Sequence, residues 1–275
     1  MAQTLQSLPQ RSFGETSRTD KWWLQPLIVL SGLSAFIAYS TWAAFQGDYY
    51  AVENLLSPFY SPVTWFDPNS AVAAAADHHD WFGPKPSWWP ALLPFSPALI
   101  ILIFPLGFRL TCYDYRGAYY KAFWGDPANC AVGEPRNSYL GERHFPLIMQ
   151  NVHRYFLYFA LIFIGLLAWD AWTAMWFETA EGGREFGVAV GTLVLTLNVI
   201  LLGGYTLGCH SLRHLVGGRL VQFSKSPVQF QAHRCVSCLN ARHMLFAWMS
   251  LFWVGFSDLF VRLTAMGVWT NWRIF

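Results

Sequence analysis

The sequence predicts an all-α integral membrane protein: a bundle of five transmembrane helices, with the N-terminus in the cytoplasm and the C-terminus outside. Three observations lead to that expectation. Of 275 residues, 54% are hydrophobic and only 12% are charged, about half the charged share of soluble domains. Five apolar stretches are each long enough to cross a bilayer, which takes about 20 helical residues. Basic residues gather on one set of connections, as the positive-inside rule requires of cytoplasmic loops.

The first span is Trp22–Phe45, behind a polar segment 1–21 that carries both charge signs. That segment lacks the apolar core of a removable signal. The second span, Ala91–Leu110, contains Pro94, Pro97 and Pro105. Proline removes a backbone donor, so this span is expected to kink, with neighbouring helices satisfying the freed groups. The third and fourth, Tyr155–Phe177 and Phe186–Gly208, flank a short acidic connection, and the fifth is Met244–Val268. Residues 1–275 read as a single transmembrane domain without a soluble module.

Placing the N-terminus inside puts fourteen basic residues on the cytoplasmic side, among them Arg11, Arg18, Arg213, Arg219, Lys225, Arg234 and Arg242. Only Lys85, Arg184, Arg262 and Arg273 fall on or toward the outer side, where the connections are acidic, from Asp48 and Asp77 to Glu185. Fifteen tryptophans, 23 phenylalanines and 12 tyrosines suit membrane–water interfaces. A formal charge of +2 gives no reason to expect nucleic acid as a partner.

Two copies of one six-residue pattern stand out: Cys209-His-Ser-Leu-Arg-His214 and Cys238-Leu-Asn-Ala-Arg-His243. Each offers a thiolate and an imidazole at the edge of an apolar span. Sulfur and nitrogen donors in equal number suit zinc or a mixed-ligand iron–sulfur cluster. All five cysteines fall on the cytoplasmic side by the topology above, where disulfides are disfavoured. The connection between spans four and five is expected to fold as a helical hairpin that brings the two patterns together.

Two ligand sets compete. The preferred, symmetric set is Cys209, His214, Cys238 and His243, the two-Cys, two-His composition of a Rieske [2Fe–2S] centre. Residues five apart on an ideal helix point about 140° apart, so this set requires local unwinding. The segregated set pairs His210 and His214 with Cys235 and Cys238. Zinc would satisfy the same residues as a structural site. Cys112 and Cys130 read as small buried hydrophobes or as replacement ligands. Haem b is the other candidate cofactor, with His153 paired to His214 or His243. His78 and His79 are adjacent in a loop and poorly placed for a second haem.

Ionisable groups at membrane depth are costly and often functional. Asp258 and Arg262 stand at i and i+4, and Asp170 lies in the third span. These three read as a proton route or a second, outer-side quinone site or, preferentially, as an internal salt bridge holding helices together. A transporter is disfavoured, since no internal repeat is evident; a membrane scaffold with structural zinc remains an alternative.

The stretch Cys-His-Ser-Leu-Arg-His-Leu-Val-Gly-Gly (209–218), Leu-Asn-Ala-Arg-His (239–243), Asp258-Leu-Phe-Val-Arg262-Leu and the tail Gly-Val-Trp-Thr-Asn-Trp-Arg-Ile-Phe (267–275) resembles the membrane subunit of actinobacterial succinate dehydrogenase. It is more closely similar to the mycobacterial type 1 form, over about Trp22 to Phe275. The resemblance implies a five-helix anchor in the bacterial plasma membrane. It also implies a flavoprotein subunit and an iron–sulfur subunit docked on its cytoplasmic face, a Rieske-type [2Fe–2S] centre in place of haem, and reduction of a quinone, most naturally menaquinone. The dicarboxylate chemistry would then lie in a partner, and the complex is a candidate for higher oligomers. A quinone beside the cluster needs an apolar slot, a donor and a proton source. Candidates on the inner face are Tyr113, Tyr115, Arg116, Trp124, His153, Arg154 and Trp248.

Overall fold

The computed structural model describes residues 12–70, 79–136, 143–145, 147–179, 181–218 and 220–275. Arg11, Asp77, His78 and Arg219 lie outside the described residues. The chain is mostly helical. Four helices are long and apolar enough to cross a membrane: α1 (Leu24–Gln46), α5 (His153–Thr173, entered through a 3-10 turn over Leu147–Val152), α6 (Val190–Leu207) and α9 (His243–Ala265). A broken pair, α2–α3 (Ala98–Ile101 and Ile103–Leu110) with α4 (Tyr113–Phe123), brings the number to five if it is one span. Two short helices, α7 (His210–Gly217) and α8 (Pro227–Asn240), form the hairpin between α6 and α9. A 3-10 turn over Phe223–Lys225 and two small antiparallel ribbons complete the described elements, the ribbons being β1–β2 (Ala51–Val52, Leu55–Leu56) and β3–β4 (Trp176–Glu178, Arg184–Phe186).

Where the boundaries differ from expectation, the causes are local. The second span begins at Ala98 and not at Ala91, because Pro97 takes the N-cap position and residues 91–97 are non-helical. Pro105 cannot donate to the carbonyl four residues earlier, and the helix is interrupted at Leu102. The third span ends at Thr173 and the fourth starts at Val190, because the aromatic residues between them pair as β3–β4.

The chain divides into two compact units. The first comprises the described parts of Met1–Ala35 and Leu110–Asn151. In it the N-terminal segment is laced to the loop after α4. Gly14 N donates to Gly133 O (3.0 Å) and Gly133 N to Glu15 O (2.8 Å). Arg18 Nη1 reaches Cys130 O at 2.9 Å, and Asn129 Nδ2 reaches Trp22 O at 2.9 Å.

The second unit comprises Phe36–Arg109 and Val152–Phe275. Helix α6 packs against both α5 and α9. Small residues allow the close approach expected of membrane helices: a Cβ on Gly204 would run into the Phe246 ring, and one on Gly107 into Phe156. At the end where α6 begins, the C-terminal tail caps it. Val188 N donates to Phe275 O (3.1 Å), Val190 N to Trp272 O (3.0 Å) and Gly191 N to Asn271 Oδ1 (2.9 Å). The first amides of a helix lack intrahelical partners, so the tail completes α6.

A buried polar clasp lies at the same end. Asp258 and Arg262 on α9 are 0% and 1% exposed and pair at 3.3 Å. The Asp258 carboxylate also accepts from Tyr39 Oη (2.6 Å) on α1 and from Ser57 Oγ beside β2. Arg262 Nη1 donates to Gln46 Oε1 (2.5 Å) and Asp48 O (2.8 Å), and its guanidinium sits over Trp42 at 5.3 Å. Asp170 on α5 accepts from Ser61 Oγ. The Asp258–Arg262 interactions tie α9, α1 and the β1–β2 loop together, which favours the salt-bridge reading for that pair, whereas the stated partner of Asp170 is a hydroxyl.

Two outcomes are expected. Arg262→Met strands a buried carboxylate and should destabilise the protein by about 3–5 kcal/mol, while the double replacement Asp258→Leu/Arg262→Met should cost less. Thermal unfolding in one detergent measures both. Asn271→Ala removes a helix cap and should cost about 1 kcal/mol, read as hydrogen-exchange loss confined to the start of α6.

Candidate metal centre

Buried sulfur and imidazole separate sharply from their exposed counterparts. Of the five cysteines, Cys112 and Cys209 are buried, whereas Cys130, Cys235 and Cys238 are exposed. Among the described histidines the buried ones are His153 and His243. All four sit at helix beginnings. Cys112 is the N-cap of α4 (φ −68°, ψ 138°) and Cys209 the N-cap of α7 (φ −61°, ψ 137°), both with extended backbone. His153 opens α5 and His243 opens α9. A helix N-terminus favours negative charge, the form in which a cysteine binds metal.

Within the second unit, three of these residues gather where the chain turns. Helix α6 stops at Gly208, whose carbonyl accepts from Asn240 Nδ2 at 2.8 Å, and Cys209 then starts α7. The α7–α8 hairpin is fastened by Arg213 Nε to Ser237 Oγ (3.0 Å) and Gln229 Nε2 to Val216 O (2.7 Å). It returns the chain to His243. His153 Nε2 lies 3.1 Å from Cys209 Sγ, and His243 is linked to His153 through the Phe108 and Tyr205 rings. Aromatic rings hold both imidazoles flat. Phe108 stacks on His153 (4.6 Å, 9°), Tyr205 stacks on His243 (4.9 Å, 13°), and Phe108 meets Tyr205 edge-on at 5.3 Å.

Burial sorts the expected ligands. By the distance that a single ion requires, neither expected set brings three ligand atoms within 4.8 Å of one another, and neither do His153, Cys209 and His243. The reason is helical continuity. Helix α7 runs unbroken through His214 and α8 through Cys235 and Cys238, so the unwinding that the symmetric set needed does not occur. His210, His214, Cys235 and Cys238 are exposed. Cys209 and His243 stay at the buried site, joined by His153, which the sequence marked as a haem-ligand or quinone candidate.

The geometry suits sulfur and nitrogen donors to a compact metal group.

Beside the site, and wholly within the second unit, lies a cavity of about 280 Å³ walled by apolar residues of α1, α2, α3, α5 and α6, with Val254 of α9. Exposed Phe45, Ile103 and Leu106 flank its mouth. Its polar lining residues are Ser40, Thr41, Arg109, Tyr205 and Thr206, and Arg109 is the charged one. Arg109 donates to Ala247 O (3.2 Å) and Ser250 Oγ (2.9 Å) on α9, and its guanidinium lies over the Tyr205 ring at 4.8 Å.

The quinone candidates named from sequence do not line this cavity. In the first unit, Tyr113 is exposed and carries Arg116 over its ring at 4.7 Å. Arg116 also donates to Gln150 (2.9 Å), Tyr115 is buried, and Trp124 packs edge-on to Tyr119 and Tyr120. In the second unit, Arg154 is exposed and Trp248 stacks on Phe252. Arg109 and Tyr205, which do line it, are absent from those candidates; Arg109 is one of the fourteen basic residues that the sequence places on the cytoplasmic side.

Residues 24–267 match the family described as actinobacterial succinate dehydrogenase subunit SdhC. The solved Mycobacterium smegmatis Sdh1 complex in the apo form contains a chain 44% identical to this one; the likeness covers 98% of this chain and 96% of that chain, with a TM-score of 0.82. No curated protein matches. The chain belongs to the actinobacterial SdhC family and is a membrane subunit of a succinate dehydrogenase complex, an oxidoreductase.

Proposed function

We propose that this subunit anchors the dehydrogenase in the plasma membrane and carries electrons from an iron–sulfur partner toward a quinone, with His153, Cys209 and His243 holding a Rieske-type [2Fe–2S] cluster. The observation that carries the reading is the buried contact of His153 Nε2 with Cys209 Sγ beside His243. When bound, such a cluster supplies a one-electron carrier whose imidazole ligands raise its potential above that of an all-thiolate cluster. Two cysteines are needed, and within the second unit Cys209 is the buried one, whereas Cys235 and Cys238 are exposed.

The chain's own residues supply the surroundings. Phe108 and Tyr205 fix the imidazole planes and exclude water. The helix starts at Cys209 and Cys112 favour thiolate. The apolar cavity fits the ring and prenyl chain of a quinone, probed best with a menaquinone analogue, with Arg109 and Tyr205 placed to donate to a carbonyl oxygen.

The α7–α8 hairpin would face the cytoplasm and receive the iron–sulfur subunit, which carries the flavoprotein where succinate is oxidised. From Phe186 to Ser257 the sequence has no acidic residue. Lys225, Arg234 and Arg242 are exposed there, which suits both the positive-inside rule and an acidic docking partner. A structural zinc is the competing reading, because two Cys and two His also close a tetrahedral site.

Electron paramagnetic resonance of the dithionite-reduced complex, with iron, sulfide and zinc analysis, tests this. A Rieske-type signal is expected, lost in Cys209→Ser, His153→Ala and His243→Ala and retained in His214→Ala. Zinc without iron would sink the proposal. For the cavity, Leu202→Trp should weaken menaquinone-analogue binding by about 1–3 kcal/mol, roughly tenfold or more, while the cluster signal persists. An unchanged affinity would place the quinone elsewhere.

A further inference from the structure

We infer that Arg109 raises the reduction potential of the redox group held at His243, acting as a positioning residue through the ring of Tyr205. The inference rests on the cluster reading above. Arg109 is the charged residue of an otherwise apolar cavity lining, and a cation at such depth is costly to maintain. Its position is fixed by two hydrogen bonds to α9, one to Ala247 O and one to Ser250 Oγ. That leaves the guanidinium over Tyr205 at 4.8 Å. Tyr205 is 1% exposed and lies nearly parallel to the His243 imidazole, at 4.9 Å and 13°.

Arg109, Tyr205 and His243 therefore form a stack in which Tyr205 and His243 are buried and Arg109 is half-buried. An arginine does not lose its proton, so it presents a constant positive charge to the ligand side of the site. Reduction adds one negative charge there, and a nearby fixed cation stabilises that state over the oxidised one. Two unit charges about 10 Å apart at an effective dielectric near 20 shift an equilibrium by about tenfold. The same two hydrogen bonds also brace α3 against α9, so a purely structural role must be separated from an electrostatic one.

The test is a dye-mediated redox titration of the intact, purified complex, read by the resonance signal of the reduced cluster. At the poise where the unaltered complex is half reduced, Arg109→Gln should lower the reduced-to-oxidised ratio by about tenfold. Arg109→Lys keeps the charge and should stay near the unaltered value. Ser250→Ala removes one brace without touching the charge and should also stay near it. If Arg109→Gln fails to assemble, Arg109→Met fills the volume without a charge and takes its place. An unchanged ratio in the neutral variant, or an equal fall in Ser250→Ala, overturns the inference. Absence of any cluster signal in the unaltered complex overturns the cluster reading itself, a result distinct from a signal whose potential does not move.

Discussion

Backbone amides and carbonyls within a bilayer must find partners inside the protein, and that constraint shapes the whole chain. Helices satisfy it automatically, so a break is tolerable only where other groups take over. At the end of α6, Gly208 N still reaches Gly204 O, Cys209 N reaches Thr206 O, and Asn240 Nδ2 covers the Gly208 carbonyl. At the start of α9, Arg242 N is held by Leu239 O. Cys209 and His243 occupy these two breaks. A buried turn between helices is where a side chain can leave the helical stripe pattern and point along the bundle, and it also offers unpaired amides that favour a thiolate.

The opposite end of the second unit obeys the same constraint with different chemistry. There the chain leaves the helices through β1–β2, β3–β4 and the C-terminal tail. Polar groups that would otherwise be stranded are gathered by Asp258 and Arg262. Every stated contact of that pair is to α1, to the loop after it, or within α9. Burial of this kind gains little net stability, while breaking one partner is severe. The pair acts as a registration device between α1 and α9, the helix that begins at His243.

Much of the architecture was legible because bilayer thickness sets a simple length requirement. Apolar stretches of the right length became helices at the expected places, within a few residues at most ends. The errors lay where local chemistry competes with hydropathy: prolines 94 and 97 delay the second span, and the aromatic run 176–186 forms a ribbon. The site was partly legible. Cysteine and histidine content pointed to the α6–α9 connection, and Cys209 and His243 remain there. The repeated six-residue pattern left burial undecided, because periodicity along the chain says nothing about which member of each pair is buried. His153 is 56 residues from Cys209 in sequence, a separation at which spacing carries no information about contact.

The sequence by itself determined a membrane-spanning helical subunit, a cluster of soft donors at one face and the family to which the chain belongs. These depend on composition, segment length and short ordered motifs, all of which are local. Which donors meet, which aromatic rings hold them, and where an arginine sits beside them were decided only by tertiary structure. Those choices follow from helix packing at Gly204 and Gly107, from the breaks at Gly208 and Arg242, and from burial of one cysteine while two others on α8 remain exposed. Packing selects among chemically equivalent side chains by position, and position is a property of the assembled bundle.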